Sequence, residues 1–191
     1  MGSWISAGDS AAVQKNDIIH VRSITEEEYA SIFGVYTKYC GSEYSAMLEL
    51  SKRYAANLQQ KEVDMLLIGP GSGSFENTVI QYLFPEEGIK VRKAVAFEPN
   101  PALVILLRET ISEWSCETDI REEYFGSESD LGDQKFDVVM FVHSCYCMSE
   151  SIRIGLMQNA LKVLKPHGEI VIYTQCEEDE NGKDQMVELV R

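Results

Sequence analysis

The chain has 191 residues, with 31 acidic side chains against 17 basic ones and a formal net charge of −14. That length suits one domain with a real core, and 45% hydrophobic with 25% charged residues is the make-up of a soluble globular protein. The acidic balance argues against a nucleic-acid partner, since phosphates need a cationic stripe, and no apolar run nears the roughly 20 residues that cross a bilayer.

No basic and apolar leader opens the sequence, so a cytoplasmic location is expected. The five cysteines (Cys40, Cys116, Cys145, Cys147, Cys176) are odd in number and scattered without metal-ligand spacing. Reduced thiols are the expectation. Residues 1–24 read as a flexible tail. Thr25-Glu26-Glu27-Glu28 is a capping box, in which the Thr hydroxyl takes the Glu28 N–H and the Glu28 carboxylate reaches back. A helix follows to about Tyr39, with Tyr29, Ile32, Phe33 and Tyr36 at helical spacing. After Cys40-Gly41-Ser42 a second helix runs to about Leu58, with Met47, Leu50 and Tyr54 on one stripe. Residues 25–60 thus form a helical flank to a core over 61–176, with an acidic segment over 177–191.

Val63 to Ile68 is a nearly continuous apolar run, the signature of a parallel strand covered on both faces. It stops at Gly69-Pro70-Gly71-Ser72-Gly73, and a helix begins from Ser74. Three glycines in five residues let the backbone turn sharply and approach a ligand closely. No Lys-Ser/Thr pair follows, so the loop is not a phosphate-cradling P-loop. The dinucleotide fingerprint requires glycine where Ser74 stands, which disfavours a nicotinamide dehydrogenase. A nucleoside without phosphate, such as S-adenosylmethionine, suits G-x-G-x-G better. A purely structural turn is the plain alternative.

The next helix is expected over about 75–84, ending near Pro85. Lys93 to Phe97 reads as the second strand, closed by Glu98-Pro99, and a helix starts at Asn100 or Pro101. A short third strand is placed near Ser112–Cys116, with a brief helix around Asp119–Tyr124. Phe136 to Val142 is a strong buried strand. A helix spans about Glu150 to Leu164, Pro166-His167-Gly168 is a turn, and Glu169–Thr174 is a fifth strand. A last helical stretch begins near Asp184. Alternating β and α elements predict an α/β, Rossmann-like, mostly parallel sheet with helices on both faces. Ligands bind outside the carboxyl ends of such strands, where the glycines, Glu98 and Val142-His143-Ser144 all fall.

LLIGPGSG, a strand ending in FEP, FDVVMFVHS and LKVLKPHGEIVIY together resemble class I S-adenosylmethionine-dependent methyltransferases over about residues 60–175. The paired N-terminal helices with Ser42-Glu43-Tyr44, Glu98-Pro99 and VHSCYCMSE resemble the histamine N-methyltransferase-like proteins within them. The resemblance implies S-adenosyl-L-methionine as cofactor, a small amine as substrate, and no nucleic acid or membrane. It places Gly69, Pro70, Gly71 and Gly73 against the methionine part, Glu98 on both ribose hydroxyls and Asp119 (or Thr118) beside the adenine. Val142 would present its backbone there. Glu43, His143 and Tyr146 would bind the substrate, with His143, where the histamine enzymes carry a glutamine, also the catalytic proton acceptor.

Each role has a structural counterpart: a hydrogen-bonded strand-end histidine, a solvated helix-start glutamate, aromatic packing at Tyr44 and Tyr146. Leu67 stands two before Gly69 where many methyltransferases are acidic, and Leu103 replaces a polar cofactor contact. The family continues past the fifth strand through a hairpin, so this chain reads as C-terminally truncated after that strand. Its edge would then be open to a second copy; otherwise a monomer is expected. A catalytically impaired or non-catalytic cofactor-binding module lacking the C-terminal substrate pocket is the alternative from another class.

Overall fold

The computed structural model describes residues 25–39, 41–145, 150–173 and 188–190. The expected tail over 1–24 lies outside them, as does most of the acidic segment. Two helices, α1 (Glu26–Tyr39) and α2 (Gly41–Asn57), precede β1 (Glu62–Ile68). The capping box forms as expected: Glu28 N–H donates to Thr25 Oγ1 at 3.2 Å, and Thr25 N–H donates to Glu28 Oε2 at 2.9 Å.

Six strands make one sheet in the order β3-β2-β1-β4-β5-β6. The partners of β1 are β2 (Lys90–Phe97) and β4 (Phe136–Val142); β3 (Glu117–Arg121) and β5 (Leu164–Tyr173) flank those, all parallel. The two-residue period of a strand sorts side chains onto two cores. Met65 and Leu67 face a core with α2, α3 (Ser74–Thr78) and α5 (Pro101–Ile111). Leu66 and Ile68 face the other, with Leu156 and Ala160 of α6 (Glu150–Lys162). Helices thus cover both faces of a Rossmann-like sheet. Among the described residues, no helix is long and apolar enough to cross a membrane.

Three expectations need correction. The third strand is Glu117–Arg121, so Ser112–Cys116 is the turn after α5, and no helix spans Asp119–Tyr124. The strand lies at the sheet's edge with its residues exposed or half-buried, so it carries no apolar run to mark it. The helix after the loop ends near Pro85 as expected, but its winding changes on the way: α3 passes into a π-helical turn (Val79–Leu83) and then α4 (Phe84–Glu86). Phe84 N–H donates five residues back, to Val79 O. Pro85 has no N–H, and its ring would crowd the carbonyl four residues earlier, so a wider turn accommodates it.

The chain adds a strand where a helix from about Asp184 was expected: β6 (Glu188–Val190) pairs antiparallel with β5, Ile170 opposite Val190. Short apolar runs do not separate helix from strand by period alone. The sheet therefore does not stop at the fifth strand, and β6 occupies part of the edge that was expected to stay open. Pro166-His167-Gly168 turns as anticipated, but inside β5: His167 has φ 74°, and the register with β4 shifts there.

The amino-terminal end of the sheet carries a charge cluster. Lys165 Nζ lies 2.7 Å from both Asp64 Oδ2 and Asp137 Oδ2, and Arg92 Nε donates to Asp64 Oδ1 at 2.9 Å. Burial works to raise the Asp64 carboxyl, but the hydrogen bonds and charges of Arg92 and Lys165 outweigh it and hold it below its ordinary value.

Candidate functional site

The glycine loop leaves β1 at the carboxyl end of the sheet. Gly69, Gly71 and Gly73 all have positive φ, of 62°, 60° and 72°, a region that costs other residues roughly 1–2 kcal/mol. Close contacts add to the requirement. A Cβ on Gly69 would lie 2.8 Å from the Cβ of Ser144, just past β4. One on Gly73 would meet Leu107 Cδ1 of α5 at 2.5 Å. The loop is therefore bare backbone clamped between β4 and α5.

Gly69→Ala should destabilise the fold by about 1–3 kcal/mol, from left-handed strain plus overpacking against Ser144. Urea unfolding measures it. A change below about 0.5 kcal/mol would mean the loop rearranges at no cost.

Glu98 follows β2 and turns its carboxylate onto this loop. Oε2 accepts the Gly71 N–H at 2.9 Å, and Oε1 accepts the Asn100 N–H at 2.9 Å. Asn100 in turn caps α5, its Oδ1 accepting from Ala102 and Leu103 N–H. Each Glu98 oxygen retains a second lone pair, so its acceptor capacity is not exhausted by these two bonds. Burial pushes this carboxyl up, opposed by the N–H groups of Asn100 and Gly71.

Val142 ends β4, and His143 follows with φ 51°. His143 N–H donates to Tyr173 O at 2.8 Å, and its Nε2 sits 3.2 Å from Met47 Sδ. The helix α2 therefore lies over the strand ends. Further along it, Ser51 and Tyr173 hydroxyls share a buried hydrogen bond of 2.5 Å. Tyr44 packs edge-on against Phe75, and its hydroxyl is 2.9 Å from Thr78 Oγ1. The glycines, Glu98, Val142 and His143 lie at adjacent strand ends, and Met47 and Tyr44 of α2 reach His143 and the start of α3.

Other expected residues stand differently. Glu43 is in the first turn of α2, on the helix that reaches the site, and its side chain lies outside the description. Tyr146 falls in 146–149, outside the described residues. Asp119 is in the middle of β3, opposite Val95, not at a strand end. Its Oδ2 accepts from Arg121 Nε at 3.0 Å, and that guanidinium lies over the Phe97 ring. Leu67 and Leu103 are core residues, 1% and 4% exposed.

Glu76, missed in the sequence, is 2% exposed in α3, among Phe75, Val79, Ile80 and Leu83. Burial pushes its carboxyl up to about 8, opposed by its own backbone N–H and aided by the Glu98 charge. A carboxylate on the apolar stripe of the helix after a glycine loop was the available signal. Among the described residues no group of three His, Cys, Asp or Glu could hold a metal ion.

No family model matches the chain, and no curated protein matches it. Solved structures do. The N-methyltransferase NodS from Bradyrhizobium japonicum WM9 superposes with a TM-score of 0.54 at 15% identity, over 72% of this chain and 71% of that one; it is also solved in complex with S-adenosyl-L-homocysteine. A SAM-dependent methyltransferase from Leishmania major gives 0.61 at 14% identity, over 78% and 57%. The PH0226 protein from Pyrococcus horikoshii OT3 gives 0.55 at 22% identity, over 78% and 66%. The chain therefore spans about three-fifths of the length of the latter two. The fold is that of the class I methyltransferases.

Proposed function

We propose that the chain binds S-adenosylmethionine at the glycine loop and transfers its methyl group to the nitrogen of a small amine. The observation that carries the cofactor assignment is the Glu98 carboxylate, 2.9 Å from the Gly71 N–H at the carboxyl edge of the sheet. It combines a carboxylate with spare acceptor capacity and a Cβ-free backbone beside it, the pairing that a ribose and its neighbouring chain need. The fold shared with NodS, an N-methyltransferase solved with S-adenosyl-L-homocysteine, supports the same reading.

The cofactor would supply a methyl group already activated on a sulfonium. What this chain must add is mostly position, holding an uncharged nitrogen about 3 Å from that carbon and in line with the breaking bond. Glu98 fixes the ribose, and Gly69, Pro70, Gly71 and Gly73 give the methionine portion room. Val142 presents backbone to the adenosine. Asp119 serves the adenine only by releasing Arg121, and Thr118 on the same strand is the alternative neighbour. His143 at the end of β4 accepts the proton that the amine must lose, a task suited to an imidazole nitrogen. Glu43 and Tyr146 anchor the amine. The narrower likeness to histamine N-methyltransferase-like proteins rests on sequence motifs alone.

Calorimetric titration with S-adenosylmethionine and S-adenosylhomocysteine, then a methylation assay on histamine and other amines, tests both halves. Binding with turnover supports the whole proposal. Binding without turnover on any amine leaves a cofactor-binding module. Glu98→Ala should weaken cofactor affinity about tenfold or more, because charge-assisted hydrogen bonds worth roughly 1.5–3 kcal/mol are lost. An unchanged dissociation constant would remove the ribose role.

A further inference from the structure

The buried carboxyls fall into two sets at opposite ends of the sheet. Asp64 and Asp137 share Lys165, and Asp64 also holds Arg92. Glu76 and Glu98, 2% and 4% exposed, lie beside the glycine loop. Among the described residues, no cation forms an ion pair with either. Glu98 at least takes two backbone N–H groups of neighbouring residues, whereas Glu76 has its own. A buried carboxyl without a counter-charge is costly. The stripe that holds Glu76 is otherwise Phe75, Val79, Ile80 and Leu83, where an apolar side chain would pack well.

The ligand assigned to the loop resolves this imbalance. The methyl donor carries a fixed sulfonium charge, and the product of the reaction is a neutral thioether. We propose that Glu76 is a specificity-determining residue that reads this charge: it releases its proton to solvent when the cationic donor occupies the loop and retains it with the neutral product. The chain thereby favours the donor over the spent cofactor. This rests on the reading of the loop as an S-adenosylmethionine site.

The groups around Glu76 leave it as the responsive one. Glu98 faces it from β2 and opposes its ionisation. From α2, the Tyr44 hydroxyl is taken by Thr78. From β5, the Tyr173 hydroxyl is taken by Ser51. His143 Nε2 contacts Met47. On α5, which packs against α3, Arg108 and Glu109 are exposed.

The test is a proton inventory on the full chain. S-adenosylmethionine and S-adenosylhomocysteine are titrated calorimetrically at about pH 7, in phosphate and in Tris, whose ionisation heats differ. The expected result is release of roughly 0.7–1 proton per donor bound and under about 0.3 per homocysteine product. In Glu76→Gln, release on donor binding should fall close to zero. The preference for donor over product should drop about tenfold, with product affinity kept within about threefold. Equal release with both ligands in the wild type overturns the proposal. So does release that persists in Glu76→Gln, which would make Glu98 the source. Where Glu76→Gln does not fold, the wild-type inventory still overturns the proposal if both ligands release equally, and Glu98→Gln separates the two acids, since donor-linked release should persist in it. Failure of the wild type to bind either ligand would instead remove the loop assignment, and this inference with it.

Discussion

Lys165→Met should lower the unfolding free energy by about 2–4 kcal/mol near pH 7, with the loss shrinking as the pH falls below about 4. Lys165 Nζ is 2.7 Å from one oxygen each of Asp64 and Asp137, whose side chains are only 8% and 10% exposed. Taking the cation away leaves two carboxylates facing each other, with Arg92 on Asp64 alone. Breaking a fully buried pair costs about 3–5 kcal/mol; Lys165 is 31% exposed, so solvent screening takes part of that away. Methionine keeps the apolar stem, which separates lost charge from lost packing.

The direction with pH follows from the depressed Asp64 carboxyl. Its contribution is present above the ordinary value of 3.8 and is lost as pH falls through the lower folded value. In the variant only Arg92 still holds the Asp64 carboxyl down, and protonation relieves the repulsion, so the two proteins converge in acid. Urea unfolding at about pH 7 and about pH 3 measures this. An equal deficit at both would mean Lys165 acts through its stem.

Those same two aspartates mark how far the sequence could be read. The central strands β1 and β4 were legible because both of their faces are covered, which imposes apolar runs. Asp64 and Asp137 interrupt those runs, and nothing local says that Arg92 and Lys165 come to meet them. The third strand was misplaced for the opposite reason. At the edge, Glu117 pairs with Lys93 at 2.9 Å, and polar residues satisfy a strand that water also reaches. The segment before Arg191 was read as helix because its apolar residues fit either period, and pairing with β5 decides for strand.

The site divides along the same line. Glycines and Glu98 announce themselves because the sharp turn and the strand-end acid are chemical demands met by neighbours in sequence. The place of Asp119 beside the adenine rests on resemblance alone, and nothing local in the sequence tells of its pairing with Arg121. Burial of Glu76 depends on α3 packing against α5, a property of the assembled fold. A glutamate three residues past Gly73 otherwise reads as an ordinary first-turn acid, favoured by the helix dipole.

Burial of Glu76 has a consequence for the ligand-free chain that needs no cofactor to observe. Glu76→Gln should leave stability nearly unchanged at about pH 4 and raise it by about 3–5 kcal/mol at about pH 9. The folded carboxyl holds its proton up to about 8, while the unfolded one ionises at its ordinary 4.5. Between those values the native state binds the extra proton, so stability falls as pH rises. Below 4.5 both states are protonated and the wild type has no deficit. Glutamine never ionises, and its amide oxygen can accept the backbone N–H that the carboxyl uses. Glu98, also pushed up by burial, adds a slope of the same sign that survives in the variant. The pH profile of Glu76→Gln should therefore be flatter between about pH 5 and 8 without becoming level. Parallel profiles for the two proteins would mean that Glu76 is hydrated or paired in solution, and its burial beneath the glycine loop would have to be abandoned.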